Sequence, residues 1–138
     1  MYRKILLAAD GSEHSIRAAE HAAFLAKQTS NSSVYILCVI DQEASKAEVL
    51  HHWNEDLNEV RREKLKPVEQ KLEGTGVSYE VGMIRGEPGP AIVDFANKNE
   101  FDLVVLGSRG LNMLQQFVLG SVSHKVAKRA NCPVLIVK

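Results

Sequence analysis

Short strand-like segments alternate with longer segments of helical periodicity along the chain. Strand-like segments lie at 5–9, 34–40, 77–84, 103–106 and 134–137. Most are continuous apolar runs, which are typical of strands buried on both faces, and apolar residues between them recur at intervals of three and four, which predicts helices. This order predicts a single α/β domain, an open five-stranded parallel sheet with helices on both faces and right-handed crossovers.

The helical segments have clear ends. The first helix follows a turn at Asp10 and runs to about Gln28, and the last begins at Ser121. Between the second and third strands, a long charged segment carries two apolar stripes whose phase slips by five residues near Pro67. This slip predicts a kink or two helical pieces, since proline interrupts the helical hydrogen bonds.

The size and charge of the chain limit the number of domains and the kinds of partner it can bind. Its 138 residues carry seventeen Lys and Arg against seventeen Asp and Glu, so the formal net charge is zero. We expect one domain over 1–138, because two cores would be unusually small. Neutrality argues against nonspecific binding to nucleic acid or to an acidic membrane surface, which needs an uncompensated positive field.

The cysteines and the amino terminus indicate a cytoplasmic protein. Cys38 and Cys132 lie far apart within apolar runs, which is neither a metal-ligand spacing nor a disulfide framework. The first apolar run ends at Asp10, too early for a signal peptide or a membrane helix of about 20 residues.

A ligand crevice is expected where two neighbouring strands send their loops to opposite faces of the sheet. For the strand order 3-2-1-4-5, this switch point lies between the first strand, which ends at Asp10, and the fourth, which ends at Gly107. The fourteen-residue loop from Gly107 to Gly120 is longer than the usual connection of about 2 to 6 residues.

The residues of this loop favour an anion site. Gly107 and Gly110 permit a close backbone approach, and Gly120-Ser121 leads into a helix whose first amides and dipole attract phosphate. Ser121 and Ser123 offer hydroxyl groups. Each feature alone is also explained by a turn glycine or a serine N-cap, whereas together at a switch point they favour phosphate binding.

The spacing Gly107-x2-Gly110-x9-Gly120-Ser121 resembles the ATP-binding signature of the universal stress protein family. The resemblance extends over the whole chain, from the strand ending in Asp10 to the closing Pro133-Val134-Leu135-Ile136-Val137. It implies the Rossmann-like fold of the adenine nucleotide alpha hydrolase type, with ATP, ADP or AMP as ligand and Mg²⁺ beside the nucleotide.

The resemblance also implies site residues. Asp10 would contact the ribose or the metal and phosphates, Ala8 and Val39 would border adenine, and the glycine loop would hold ribose and phosphates. Taken without the resemblance, Asp10 is also explained as an N-cap of the first helix, a role shared with Ser12, and Val39 is also explained by core packing. The candidate nucleotide-binding residues are Ala8, Asp10, Val39, Gly107, Ser108, Arg109, Gly110, Gly120, Ser121, Val122 and Ser123.

The motifs of several enzyme classes are missing from the sequence. It contains neither a P-loop, nor a dinucleotide fingerprint after the first strand, nor a nucleophile elbow. Arg109, His124 and Lys125 remain as possible charge partners of phosphate. We therefore predict an ATP-binding regulatory protein with at most slow hydrolysis. The alternatives are a nucleotide-dependent ATPase or phosphotransferase and a dimeric interaction module that binds no nucleotide.

The histidines give little indication of a metal site. His51 and His52 are adjacent, so on a helix their side chains point about 100° apart. This divergence argues against a metal site that both would ligate. We predict that His14 and His21 lie on the solvated side of the first helix.

The last strand predicts self-association. Val134, Leu135, Ile136 and Val137 form an apolar sheet edge in the expected order, and such an edge is stable when it is covered or paired. Pairing about a two-fold axis would give a homodimer, which the family resemblance also implies.

Overall fold

The protein is described by a computed structural model over residues 1–41, 57–109 and 120–138, without the side chains of 57 and 58. In these ranges five strands alternate with four helices. The elements are β1 (Lys4–Ala8), α1 (Glu13–Lys27), β2 (Ser33–Ile40), α2 (Leu57–Glu73), β3 (Ser78–Arg85), α3 (Pro88–Lys98), β4 (Leu103–Gly107), α4 (Ser121–Arg129) and β5 (Val134–Val137).

The sheet has the strand order β3-β2-β1-β4-β5, and every neighbouring pair is parallel. The predicted order 3-2-1-4-5 is therefore confirmed. β1 lies at the centre, where Leu7 pairs in register with Ile36 on one side and Val105 on the other. The carboxyl ends of β1 and β4 consequently lie side by side.

Helices cover both faces of the sheet, as predicted. On β1, Leu7 packs in one core cluster with residues of α1 and α2, and Leu6 packs in a second cluster with residues of α3 and α4. Both leucines are fully buried. This alternation follows from the two-residue period of a strand, which sends successive side chains to opposite faces.

The start of α1 is fixed by two short-range hydrogen bonds. Ser12 is the N-cap, and its side chain accepts a hydrogen bond from the Ser15 amide at 3.2 Å. The Ser12 amide donates to Oδ1 of Asp10 at 2.9 Å. Ser12 therefore caps the helix and Asp10 closes the turn before it, which divides the capping role that the sequence assigned to both residues.

α2 continues through Pro67 as one helix, so the prediction of two separate pieces is wrong for this segment. Leu65, Val68 and Leu72 are fully buried on one face, while Pro67 lies on the exposed side. Burial of this face outweighs the backbone hydrogen bond that proline cannot donate. The earlier stripe with Trp53 lies outside the described residues.

Within the described ranges, none of the helices combines the length and the apolar character that a membrane crossing requires.

Candidate functional site

A cleft of about 590 Å³ opens at the carboxyl ends of β1 and β4. The chain leaves β1 toward α1 on one face of the sheet, whereas α4, the next helix described after β4, lies on the other face. The cleft therefore lies at the predicted switch point. The position of the cleft follows from the strand order, because the connections after β1 and after β4 lead to opposite faces of the sheet.

The cleft gathers the candidate residues that the structure describes. Those that line it are Ala8, Asp10, Val39, Gly107, Ser108, Arg109, Gly120, Ser121, Val122 and Ser123. Gly110 lies outside the described residues. The residues come from β1, β2, β4 and the start of α4, so segments distant in sequence meet in one place.

One part of the cleft is apolar. Ala8, Leu37 and Leu106, which pair in register on the adjacent strands β1, β2 and β4, line this part together with Val39 and Ile92. Val39 is half-buried and also packs against the core cluster beside α3 and α4. It therefore combines a core contact with a position on the cleft. A flat apolar ring fits a surface of this composition.

Polar groups also line the cleft. Asp10 is half-buried, and the hydrogen bond from the Ser12 amide fixes the orientation of its carboxylate. Asp41 at the end of β2 lies on the same cleft. Carboxylate oxygens at this position can accept hydrogen bonds from sugar hydroxyls or coordinate a hard cation such as Mg²⁺.

Ser108 connects the end of β4 to the start of α4. Its carbonyl accepts hydrogen bonds from the Gly120 amide at 2.8 Å and from Oγ of Ser123 at 3.0 Å. Its amide donates to the carbonyl of Val137 on β5 at 2.8 Å. These bonds fix the first turn of α4 against the cleft.

The close contact with Ser108 requires glycine at position 120. A Cβ atom at Gly120 would lie 2.9 Å from the Ser108 carbonyl oxygen, which is closer than side chains tolerate. Any larger residue must therefore displace either the end of β4 or the start of α4.

The serines at the start of α4 differ in their surroundings. Ser121 is exposed, whereas Ser123 is buried and its hydroxyl lies 3.0 Å from the carbonyls of both Ser108 and Gly120. A hydroxyl has one proton to donate, and these carbonyls accept it. The hydroxyl of Ser123 thus anchors the helix, while the amides of the first turn and the exposed Ser121 hydroxyl are of the type that can donate to an anion.

His14 contradicts the sequence prediction, which placed it on the solvated side of α1. It is half-buried, with Nδ1 3.3 Å from Oγ of Ser108 and Nε2 2.9 Å from Nη2 of Arg109. His21 is exposed as predicted. The sequence did contain one indication of this position. His14 lies in the first helical turn after Asp10, and this turn faces the end of β4 across the switch point.

Two basic residues of α2 also line the cleft and were missed. Arg61 is buried and Lys64 is exposed, and both lie on the wall formed by α2. The helical stripe identified which face of α2 is apolar, but it did not indicate how far the helix reaches over the strand ends.

Two suggested charge partners lie elsewhere. His124 is exposed and Lys125 forms an ion pair with Glu87 at 3.1 Å, and neither lines the cleft. Their place in α4 explains this, because only the first turn of that helix reaches the cleft. Among the residues described, no group of three or more His, Cys, Asp or Glu could hold a metal ion. His51 and His52 lie outside that part of the chain.

Comparison with known proteins identifies the family. The model of the universal stress protein family matches residues 1–138. The chain belongs to the universal stress protein family. Universal stress protein MJ0531 of Methanocaldococcus jannaschii is 39% identical over 142 residues, which cover 100% of this chain and 83% of that relative.

Solved structures of universal stress proteins share the fold. That of MJ0577, also from M. jannaschii, has a TM-score of 0.83 at 32% identity and covers 100% of this chain and 96% of its own. A universal stress protein in complex with cAMP has a TM-score of 0.71 at 28% identity, covering 99% of this chain and 97% of that chain. One from Archaeoglobus fulgidus in complex with dAMP has a TM-score of 0.73 at 25% identity, covering 99% and 98%.

Proposed function

We propose that this universal stress protein binds ATP or a related adenine nucleotide in the cleft between β1 and β4 and acts as a nucleotide-dependent regulatory protein of the stress response. The observation that carries the proposal is the meeting of Asp10, Val39 and the Gly120–Ser123 turn around one cleft. These residues lie far apart in sequence, yet they line one cleft.

The size and composition of the cleft support this proposal. Its volume of about 590 Å³ is within the range of roughly 300–1,000 Å³ that small-molecule sites occupy. The apolar residues from β1, β2 and β4 suit adenine, and the first turn of α4 suits phosphate. A cleft lined by both kinds of group suits a ligand that combines an apolar ring with an anion.

The relatives support the class of ligand. Two of the similar solved structures are complexes with cAMP and with dAMP, which share an adenine base and a phosphate. We assign ATP on the sequence signature around Gly107 and Gly120. Mg²⁺ would accompany the phosphates, and the carboxylate of Asp10 is the proposed group nearest to it.

We further propose that hydrolysis is slow. Arg109 is the basic residue of the glycine loop on the cleft, whereas His124 and Lys125 lie away from it. An enzyme needs a group that orients the nucleophile in addition to charge on the phosphates. Turnover at or above about 1 s⁻¹, measured as phosphate release, would instead favour an ATPase or phosphotransferase.

The most direct test is to identify any nucleotide that is bound to the purified protein. Protein purified without added ligand is denatured, and the mass of any released nucleotide is measured. Calorimetry with ATP, ADP, AMP and cAMP then ranks their affinities. Absence of heat with all four would contradict the proposal and favour an interaction module that binds no nucleotide.

Asp10→Ala is expected to weaken ATP binding by roughly 10- to 160-fold without unfolding the domain. The change removes one carboxylate from the cleft, and a hydrogen bond to a charged group contributes roughly 1.5–3 kcal/mol. Calorimetry gives the affinity and a thermal melt gives the stability. Asp94→Ala is the control, because Asp94 is exposed on α3. Equal affinities of the two variants would remove Asp10 from the site.

We propose that the protein forms a homodimer through β5. The carbonyls of Pro133 and Val137 face β4, where they accept hydrogen bonds from Val104 and Ser108. By the alternation of a strand, the backbone groups of Val134 and Ile136 face the open edge of the sheet. Pairing of two such edges would join their backbone groups and bury apolar side chains.

Ile136→Pro is expected to convert the dimer to a monomer. Proline removes an N–H from the open edge and spares the bonds from β5 to β4, and edge strands tolerate proline. Ile136→Val retains the N–H and is expected to remain dimeric. Light scattering over a concentration series measures the mass. A single 15.3 kDa species for the natural protein would contradict the dimer.

We place this function in the cytoplasm. Cys38 and Cys132 are both free thiols, which fits a reducing compartment.

A further inference from the structure

We propose that His14 is a positioning residue that orients the guanidinium of Arg109 toward the nucleotide, and that only the neutral imidazole does so. The inference rests on the proposed nucleotide site and adds to it a residue outside the glycine signature. His14 belongs to α1, on the opposite side of the cleft from α4.

His14 is in close contact with Ser108 and Arg109, and this contact depends on the backbone as well as on the side chains. Nε2 of His14 lies 2.9 Å from Nη2 of Arg109, and Nδ1 lies 3.3 Å from Oγ of Ser108. A Cβ atom at Gly107 would lie 2.6 Å from Cβ of His14. The absence of a side chain at position 107 thus lets α1 approach the end of β4 and places the imidazole beside the loop.

The hydrogen-bonding groups of Arg109 and Ser108 fix the tautomer of the His14 imidazole. A guanidinium has only donors, so Nε2 of His14 must be the acceptor of the hydrogen bond from Arg109. The ring proton then lies on Nδ1, from which it donates to the Ser108 hydroxyl. Only the neutral Nδ1–H form satisfies both contacts, since a protonated imidazole offers two donors and no acceptor.

Charged side chains lie beside this contact. Arg109 faces His14 from the end of β4, and Glu13 and Arg17 flank it on α1. Arg17 is 4.0 Å from Glu13 and also donates to the carbonyl of Lys138 at the end of β5. An imidazolium at position 14 would repel the guanidinium of Arg109, and the side chain would leave its position.

An arginine side chain that is already ordered binds phosphate more strongly than one that must be ordered on binding. Arg109 lines the cleft, and its planar fork can donate two parallel hydrogen bonds to phosphate oxygens. Ordering a long side chain on binding opposes association by about 0.5–1.5 kcal/mol, which corresponds to roughly 2- to 12-fold in affinity. His14 orders this side chain in advance, so the loss is avoided.

Three variants test the role of His14. His14→Ala removes the acceptor, and ATP affinity at pH 7.5 is expected to fall by about three- to tenfold. His14→Gln retains an acceptor at the position of Nε2 and does not titrate, so its affinity at pH 7.5 is expected to match the natural protein within about twofold. His21→Ala is the matched control on the exposed part of α1.

The pH profile distinguishes positioning from a structural effect. Between pH 7.5 and 5.5 the natural protein is expected to lose about three- to tenfold more affinity than His14→Gln, because an imidazolium has no acceptor for Arg109 whereas glutamine keeps one at every pH. The Gln variant supplies the baseline, since phosphate groups of the nucleotide also titrate near pH 6. Identical profiles for the two proteins would overturn the inference.

A second measurement needs no nucleotide. Nitrogen-15 NMR of the imidazoles at pH 7.5 is expected to show the Nδ1–H tautomer for His14, and an Nε2–H tautomer would overturn the inference. If the natural protein gives no heat with ATP, the proposed function fails. If it binds ATP and His14→Ala binds equally well, only the role of His14 fails.

Discussion

Gly120→Val is expected to abolish measurable ATP binding while the domain stays folded. A Cβ atom at this position already lies 2.9 Å from the Ser108 carbonyl oxygen, and valine adds two methyl groups. The first turn of α4 must then move away from the cleft with its amides. Loss of two charge-assisted hydrogen bonds, at roughly 1.5–3 kcal/mol each, weakens binding by at least about 100-fold.

Calorimetry measures this loss, and a thermal melt monitors folding. We expect cooperative unfolding to persist, because Val126 keeps α4 buried against the sheet beyond its first turn. Gly74→Val is the control, since a Cβ there would make only an ordinary contact of 3.6 Å with the Gln70 carbonyl. Natural affinity in Gly120→Val would exclude the start of α4 from the nucleotide site.

Leu7→Ala is expected to lower the free energy of unfolding by about 2–5 kcal/mol, the usual loss for a leucine truncated in a core. Leu7 is fully buried at the centre of the sheet, beneath the face covered by α1 and α2. Small domains are stable by only about 5–15 kcal/mol, so this variant would lose a large share of the total.

Urea unfolding measures the difference. Phe24→Ala is the control, because Phe24 on α1 is 64% exposed and its truncation is expected to change stability by less than about 0.5 kcal/mol. Equal losses for the two variants would show that the centre of the sheet is not the stabilising core.

The fold was predictable because its strands differ sharply in composition from their surroundings. Continuous apolar runs identified β1 and β4, and the alternation with helices identified a parallel sheet. The bounds were less predictable, because sheet pairing extends to exposed residues that an apolar run does not include. β3 runs from Ser78 to Arg85, one residue later at each end than the predicted 77–84, and β1 runs from Lys4 to Ala8, one residue earlier than 5–9. Lys4 and Arg85 are exposed, yet both pair with β2.

The site was predictable where it depends on strand ends and glycine spacing. Asp10, Gly107 and Gly120 each follow from the switch point or the signature. His14 and Arg61 do not, because their approach to the cleft depends on how α1 and α2 rotate about their own axes. A helical stripe specifies the buried face, whereas the residues at its margin depend on the packing of the two helices together.

The peptide groups of Ser108 have a consequence for how variants combine. Through its amide and its carbonyl this one residue joins the edge strand β5 to the first turn of α4. A disturbance of either partner therefore reaches the other across two hydrogen bonds. We expect the effects of Val137→Ala and Gly120→Val on the free energy of unfolding to be non-additive in the double variant, because both changes disturb a hydrogen-bond partner of Ser108.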